Sequence, residues 1–278
     1  MTERIPHGLF ILLALLLAAL AVWGTRRWLK ARRRARLRAE PLAPDRRAIL
    51  ERGLPVYASM PDALRARLDG LVNQFLDEIR FYGAGGLAVT EEMRTLIAAQ
   101  AAMLVVGRPG RWFETLSTIH IYPSAFASTR AARHGAFVTE KKTARSGESW
   151  RRGPVVLSWR DAAHGAADPY DARNVVYHEF AHQLDQQSGV MDGAPLLAKD
   201  QSASGWARAF QDAYGRMNAA LAAGRETFMN PYGATAPAEF FAVAVEYFFE
   251  QPAALKREEP ALYAELSHYF ALDPAGWG

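Results

Sequence analysis

The sequence predicts a helix-dominated α+β domain with a small β-sheet, preceded by an N-terminal transmembrane helix. Three observations carry this expectation. Residues 9–23 are fifteen apolar residues without a charge. Beyond position 60 the apolar residues recur in long blocks at helical spacing, the signature of helices with one buried face. Runs of β-branched residues bounded by turn formers are few, and both lie before residue 160. With 278 residues, 50% of them hydrophobic and 22% charged, the chain has the composition of an ordinary globular protein with one sizeable core. It contains no cysteine, so a disulfide framework and a thiolate metal site are both excluded.

At the N-terminus, Ile5, Pro6, Gly8 and Gly24 widen the apolar run to residues 5–24, which reaches the twenty residues usual for a helical span. Eight cations and no anion follow between Arg26 and Arg38. Basic flanks stay in the cytoplasm, so the expected topology is a single-pass inner-membrane protein with its N-terminus outside and its folded domain in the cytoplasm. Ala19-Leu20-Ala21 resembles a signal-peptidase site, but a cleaved signal carries its positive charge before the apolar run, not after it. The basic segment also accounts for the formal net charge of +4. Residues 1–25 are neutral, so residues 39–278 carry a net −4. The arm and linker, 25–46, therefore suit anionic lipid, with residues 5–38 expected to meet the membrane, and no direct nucleic-acid binding is expected of the domain.

Pro41-Leu42-Ala43-Pro44-Asp45 reads as a linker, and residues 47–278 as one domain. Leu64, Leu68, Leu71, Val72, Phe75 and Ile79 place a helix over 61–81, with Ser59 and Pro61 as start signals. Thr90, followed by Glu91 and Glu92, opens a second helix to about Val106. The strand candidates are 118–122 and 154–159. The second has two readings: an exposed edge that pairs with an extended peptide, or an internal strand supporting the helix that follows. Helices are then expected over 204–222, 237–250 and 260–271.

The chemistry concentrates in His178-Glu179-Phe180-Ala181-His182, within an apolar stretch of helical character. Positions four apart lie one turn above each other, so both imidazoles can reach one ion while Glu179, one step round, addresses water bound to it. Chance alone would produce this spacing in roughly one such chain in a hundred. The bland alternative is a pair of solvated or core histidines, and the apolar context weighs against it.

Catalytic zinc takes three protein ligands, so a further one is needed. The candidates are His7, His120, His134, His164 and His268, with Asp185, Asp192, Asp200, Glu226, Glu239 and Glu246. Glu239 and Glu246 stand out because the helix from Pro237 to Phe249 is otherwise almost wholly apolar. Seven apart, they share a face, so one can ligate the ion while the other bonds a ligand histidine or the helix behind it. Asp185 is seven residues beyond His178, where it either orients an imidazole or makes a cap or ion pair.

In order along the chain, Ile121-Tyr122-Pro123-Ser124-Ala125-Phe126, Ser146-Gly147-Glu148-Ser149-Trp150, Gly153 to Trp159, His178 to Asp185, and Pro237 to Phe249 resemble the Mlc titration factor A family of zinc-dependent peptidases. The resemblance covers most of 47–278 and implies a zincin-like, gluzincin-type fold. It implies that Zn2+ is held by His178, His182 and Glu239, that Glu179 is the general base, and that Tyr232 lies at the site, where it could donate to a developing oxyanion. Asn230-Pro231-Tyr232-Gly233 also reads as an ordinary turn. Glu246 and Asp185 are the supporting carboxylates. The expected function is a membrane-anchored zinc metallopeptidase acting on peptide or protein substrates from the cytoplasmic face. The alternative is a binding protein that sequesters a transcription regulator, its metal site structural or vestigial. The membrane segment and the short ending at Gly278 depart from the family pattern.

Overall fold

The computed structural model describes residues 7–277 except 109, 111, 125, 135–136, 146 and 150–153, with the backbone alone described over 7–12 and 126–149. The first half holds α1 (His7–Ala39), α2 (Pro44–Gly53), α3 (Val56–Ser59), α4 (Asp62–Glu78), β1 (Arg80–Gly83) and α5 (Glu91–Met103). Strands β2 (Thr118–Tyr122), β3 (Phe126–His134), β4 (Phe137–Arg145), β5 (Gly147–Ser149) and β6 (Val155–Ser158) follow. The remainder is helical: α6 (Trp159–Ala167), α7 (Val175–Asp185), α8 (Ala203–Ala222), α9 (Pro237–Glu250), α10 (Pro252–Glu258) and α11 (Pro260–Phe270). The helix-dominated class with a small sheet is therefore what the chain adopts.

The sheet runs β1-β2-β6-β5, with β1, β2 and β6 parallel and β5 antiparallel on β6, Glu148 opposite Val156. β3 and β4 form a separate hairpin between β2 and β5 in the chain. Residues 154–159 thus do not offer an edge. β6 has β2 on one side and β5 on the other, and Trp159 already belongs to α6. The internal-strand reading is the correct one, because the three-residue β5 occupies the edge.

The core explains why α7 is rigid. Phe180 packs between Phe75 of α4 and Phe113, at ring separations of 5.7 and 4.9 Å, and Tyr177 meets Phe249 of α9 at 5.1 Å. Val176, Phe180, Ala181 and Leu184 have no exposed surface, so α7 is held from several sides. Truncating Phe180 to Ala would cost about 3–5 kcal/mol in transfer and cavity terms. In α5, Ala98, Ala99, Ala101 and Ala102 are fully buried, and their small side chains let neighbouring helices approach closely.

The N-terminal expectation is corrected. Among the described residues no helix is long and apolar enough to cross a membrane. α1 is 33 residues long, yet its wholly apolar run, 9–23, extends only about 22 Å against a hydrocarbon core of about 30 Å, and from Arg26 onward the helix is rich in cations. The single-pass inner-membrane topology and the cytoplasmic placement drawn from it fall with the anchor, which was expected to begin at residue 5, outside the described residues. The lipid contact expected of residues 5–38 loses its basis too, because the arm turns toward the domain. Arg34 holds Glu78 through two hydrogen bonds of 2.6 and 2.7 Å and Glu114 at 2.7 Å, while Arg33 pairs with Asp77 and Arg38 donates to Gln74.

Candidate metal centre

α7 begins at Asn174, whose backbone is extended (φ −114°, ψ 98°) and whose side-chain oxygen accepts the Tyr177 N–H at 2.9 Å, satisfying one of the helix's orphan donors. One turn on, His178 and His182 stand edge to face with ring centroids 4.8 Å apart. α9 begins with Pro237 fixing the first turn, which presents Glu239 to the two imidazoles. His178 Nε2 lies 3.0 Å and His182 Nε2 3.4 Å from Glu239 Oε2.

These three atoms lie within 4.8 Å of one another. Ligand atoms about 2.0–2.1 Å from a tetrahedral ion are about 3.3–3.4 Å apart, so the observed spacing is close to a zinc ligand set before any adjustment. Two nitrogens and one carboxylate oxygen also match the donor chemistry of catalytic zinc, so the residues present fit the ion.

Glu246, two turns along α9 from Glu239, accepts at Oε1 from His178 Nδ1 at 2.8 Å. That contact leaves Nε2 facing Glu239, an arrangement that metal-binding imidazoles commonly have. Burial pulls the His178 pKa down, but hydrogen bonds to Glu239 and Glu246 outweigh it and raise the pKa well above the ordinary imidazole value. Burial likewise pushes Glu239 up, but the bonds from His178 and His182 hold it below the carboxylate range. The two shifts have one cause, the close pairing of the His178 imidazole with the Glu239 carboxylate. Glu246 is raised, because burial exceeds the compensation from His178.

Glu179 is buried, with 5% of its surface exposed, and its charge is felt at His178. Tyr232 lies in a 3-10 turn, Pro231–Thr235, that packs on α9. Its ring centre is 6.0 Å from that of His178, and its side chain is half exposed at the rim. The turn reading of Asn230–Gly233 therefore describes its backbone, and the turn brings Tyr232 beside His178.

Asp185 does not reach an imidazole. Its Oδ2 accepts from Gly193 N at 2.8 Å, tying the end of α7 to the following loop, and burial pushes its pKa up to about 6. The reason is local: Asp185 lies two helical turns, about 10.5 Å, beyond His178, and its carboxylate is engaged by the Gly193 N–H instead. Gly193 itself has φ +80°, and a Cβ there would stand 2.6 Å from Pro237 O, so this contact brings the loop to the start of α9.

The other candidate ligands go elsewhere. His120 stacks on Tyr82 at 5.6 Å, His164 pairs with Asp171, and His268 with Asp200. Asp192 accepts from Ala194 N, and Glu226 is exposed. The side chains of His7 and His134 lie outside the described residues. Sequence reasoning passed over Asn174 and Glu250. Asn174 Nδ2 donates to Glu250 Oε1 at 2.9 Å, and Arg173 N donates to Glu250 Oε2 at 3.1 Å. Asn before an apolar run is an N-cap signal, and Glu250 is a third acid on the apolar α9.

Similarity to known proteins agrees with this geometry. The family described as glucose-regulated metallo-peptidase M90 matches residues 27–271. An uncharacterized protein of Synechocystis sp., slr2042, is 37% identical over 267 residues, covering 95% of this chain and 97% of its own length. Mlc titration factor A of Yersinia pestis and that of Yersinia pseudotuberculosis are each 31% identical over 242 residues, 85% of this chain and 87% of theirs. The resemblance drawn from the motifs is thus borne out. The matched region takes in the part of α1 that packs on α4.

Proposed function

The chain belongs to the glucose-regulated metallo-peptidase M90 family, and from that premise we propose that it is a zinc-dependent peptidase in which His178, His182 and Glu239 hold the metal. The observation that carries this reading is the convergence of two imidazole nitrogens on one carboxylate oxygen, at 3.0 and 3.4 Å, within a buried helix pair. Bound there, zinc would lower the pKa of a water toward 7 and polarise the scissile carbonyl.

The chain's own residues do the rest. Glu179 takes the proton of the attacking water and returns it to the leaving amine, its carboxylate held on the same helix as both imidazoles. Glu246 fixes the ring of His178 and keeps its Nε2 free of a proton once metal is present. Tyr232, half exposed beside His178, donates to the oxyanion that develops on the substrate carbonyl. Asp185 acts at one remove, holding Gly193 against Pro237 at the start of the helix that bears Glu239. Peptides or exposed segments of proteins are the substrates.

A second reading, capture of a transcription regulator, draws on the name of the Yersinia relatives, Mlc titration factor A. The two readings part on one experiment. Zinc-loaded protein digesting an unbiased peptide library, with cleavage lost to chelator and restored by zinc, supports the peptidase. A protein that binds one zinc and cleaves nothing in the library supports the binding reading.

A further inference from the structure

We propose that Asn174 and Glu250 are positioning residues for the metal site: they clamp the start of α7 to the end of α9 and so set the spacing of the three ligand atoms carried by those helices. The inference rests on His178, His182 and Glu239 being the ligands.

Asn174 is used completely. Its side-chain oxygen caps α7 through Tyr177 N, and its backbone N–H donates to Glu246 Oε2 at 2.8 Å. Its amide nitrogen donates to Glu250 Oε1 at 2.9 Å, to Gln100 Oε1 at 2.9 Å and to Gly165 O at 3.0 Å. Arg173 N adds a bond to the other oxygen of Glu250. Two successive backbone N–H groups therefore grip two carboxylates one turn apart on α9. The turn that aims them contains Ala172 at φ +54°, a left-handed conformation unusual for a residue with a Cβ and found here in a buried position.

The position of this clamp separates it from ordinary core support. Asn174 is one turn before His178, and Glu246, which it holds, is the carboxylate on His178 Nδ1. Asn174, Glu246 and Glu250 are all buried, so each lost bond leaves an unsatisfied polar group in the interior and the helices shift to repair it. A shift of a few tenths of an ångström is comparable with the difference between the two ligand spacings, 3.0 and 3.4 Å. Removing partners of metal-bound imidazoles typically lowers metal affinity 10–100-fold, and the clamp is expected to act in that range.

Asn174→Ser tests this, because a serine still caps the helix and keeps the backbone N–H on Glu246 while losing the bonds to Glu250, Gln100 and Gly165. Glu250→Ala, which removes both acceptor oxygens, is the second variant and carries the test should the first not fold. For each, the zinc dissociation constant of the full chain is measured by chelator competition, with the cobalt-substituted protein's visible absorption as the signature of ligand geometry. The expected result is a weakening of zinc binding of at least about tenfold with an altered cobalt spectrum, in protein that circular dichroism shows to be folded at the assay temperature. Folded variants that bind zinc within twofold of wild type, with an unchanged cobalt spectrum, overturn the proposal. Loss of the ligand reading looks different: wild type would then fail to bind one zinc, or Glu239→Ala would bind it as well as wild type.

Discussion

His178 Nδ1 and Glu246 Oε1 are 2.8 Å apart in the interior between α7 and α9, and this one contact decides which nitrogen of the imidazole is available to a metal. Replacing the carboxylate by an amide of the same shape keeps a hydrogen bond but removes its charge. Glu246→Gln is expected to weaken zinc binding about 10–100-fold, measured by chelator competition.

The ligands themselves matter more. Glu239→Ala removes a carboxylate oxygen that both Nε2 atoms approach. It is expected to abolish stoichiometric zinc, as read by metal analysis after dialysis, while the apo protein stays folded because Glu239 lies in the first turn of α9 with its side chain partly exposed.

Acid should displace the metal. The two carboxylates beside His178 raise its pKa well above the ordinary imidazole value, so a proton competes with the ion at the same nitrogen. Affinity is expected to fall progressively, by up to about tenfold per unit, as the pH is lowered through the neutral and acid range. A zinc affinity independent of pH between about 5 and 7 would contradict this coupling.

The opposite sign applies to Glu250. Burial pushes its carboxyl up to about 9, only partly offset by the bond from Asn174. Between the ordinary carboxyl pKa and that value the folded chain holds a proton that the unfolded chain has released, so stability falls as the pH rises through this window. Asp185, pushed up to about 6, contributes only to the lower part. The Tm of the apo protein is expected to drop by several degrees from about pH 6.5 to 9, and the slope should flatten in Glu250→Gln.

Gly193→Ala is expected to destabilise the fold by about 2 kcal/mol or more, from a left-handed backbone and a Cβ pressed on Pro237 O. Denaturant unfolding measures it.

How far the sequence reached follows from the range of each interaction. The spacing of His178 and His182 is local helix geometry, and Glu239 and Glu246 are conspicuous as acids in an apolar helix, so the cluster that the fold brings together is readable in the sequence. Helices 204–222, 237–250 and 260–271 agree with α8, α9 and α11 to within a residue, because each buries one periodic face. β1 and β5 were missed, since four and three residues offer no alternation to read. Asp185 shares a helical face with His178, but it sits two turns away, and its bond to Gly193 N eight residues on is a loop contact that helical periodicity does not contain. The apolar window at the N-terminus was read by composition, whereas length and the inward pairing of Arg33, Arg34 and Arg38 decide its fate. Asn174 bonds Glu250 across 76 residues, a pairing that no local pattern contains.

The central claim is that Glu179 activates water at a zinc held by His178, His182 and Glu239. Digestion of a peptide library by zinc-loaded wild type and Glu179→Gln tests it most directly, with zinc content measured on the same samples. The account predicts equal zinc in both, cleavage by wild type, and a loss of at least about a hundredfold in rate for the variant. A fully loaded Glu179→Gln protein cleaving as fast as wild type would contradict it.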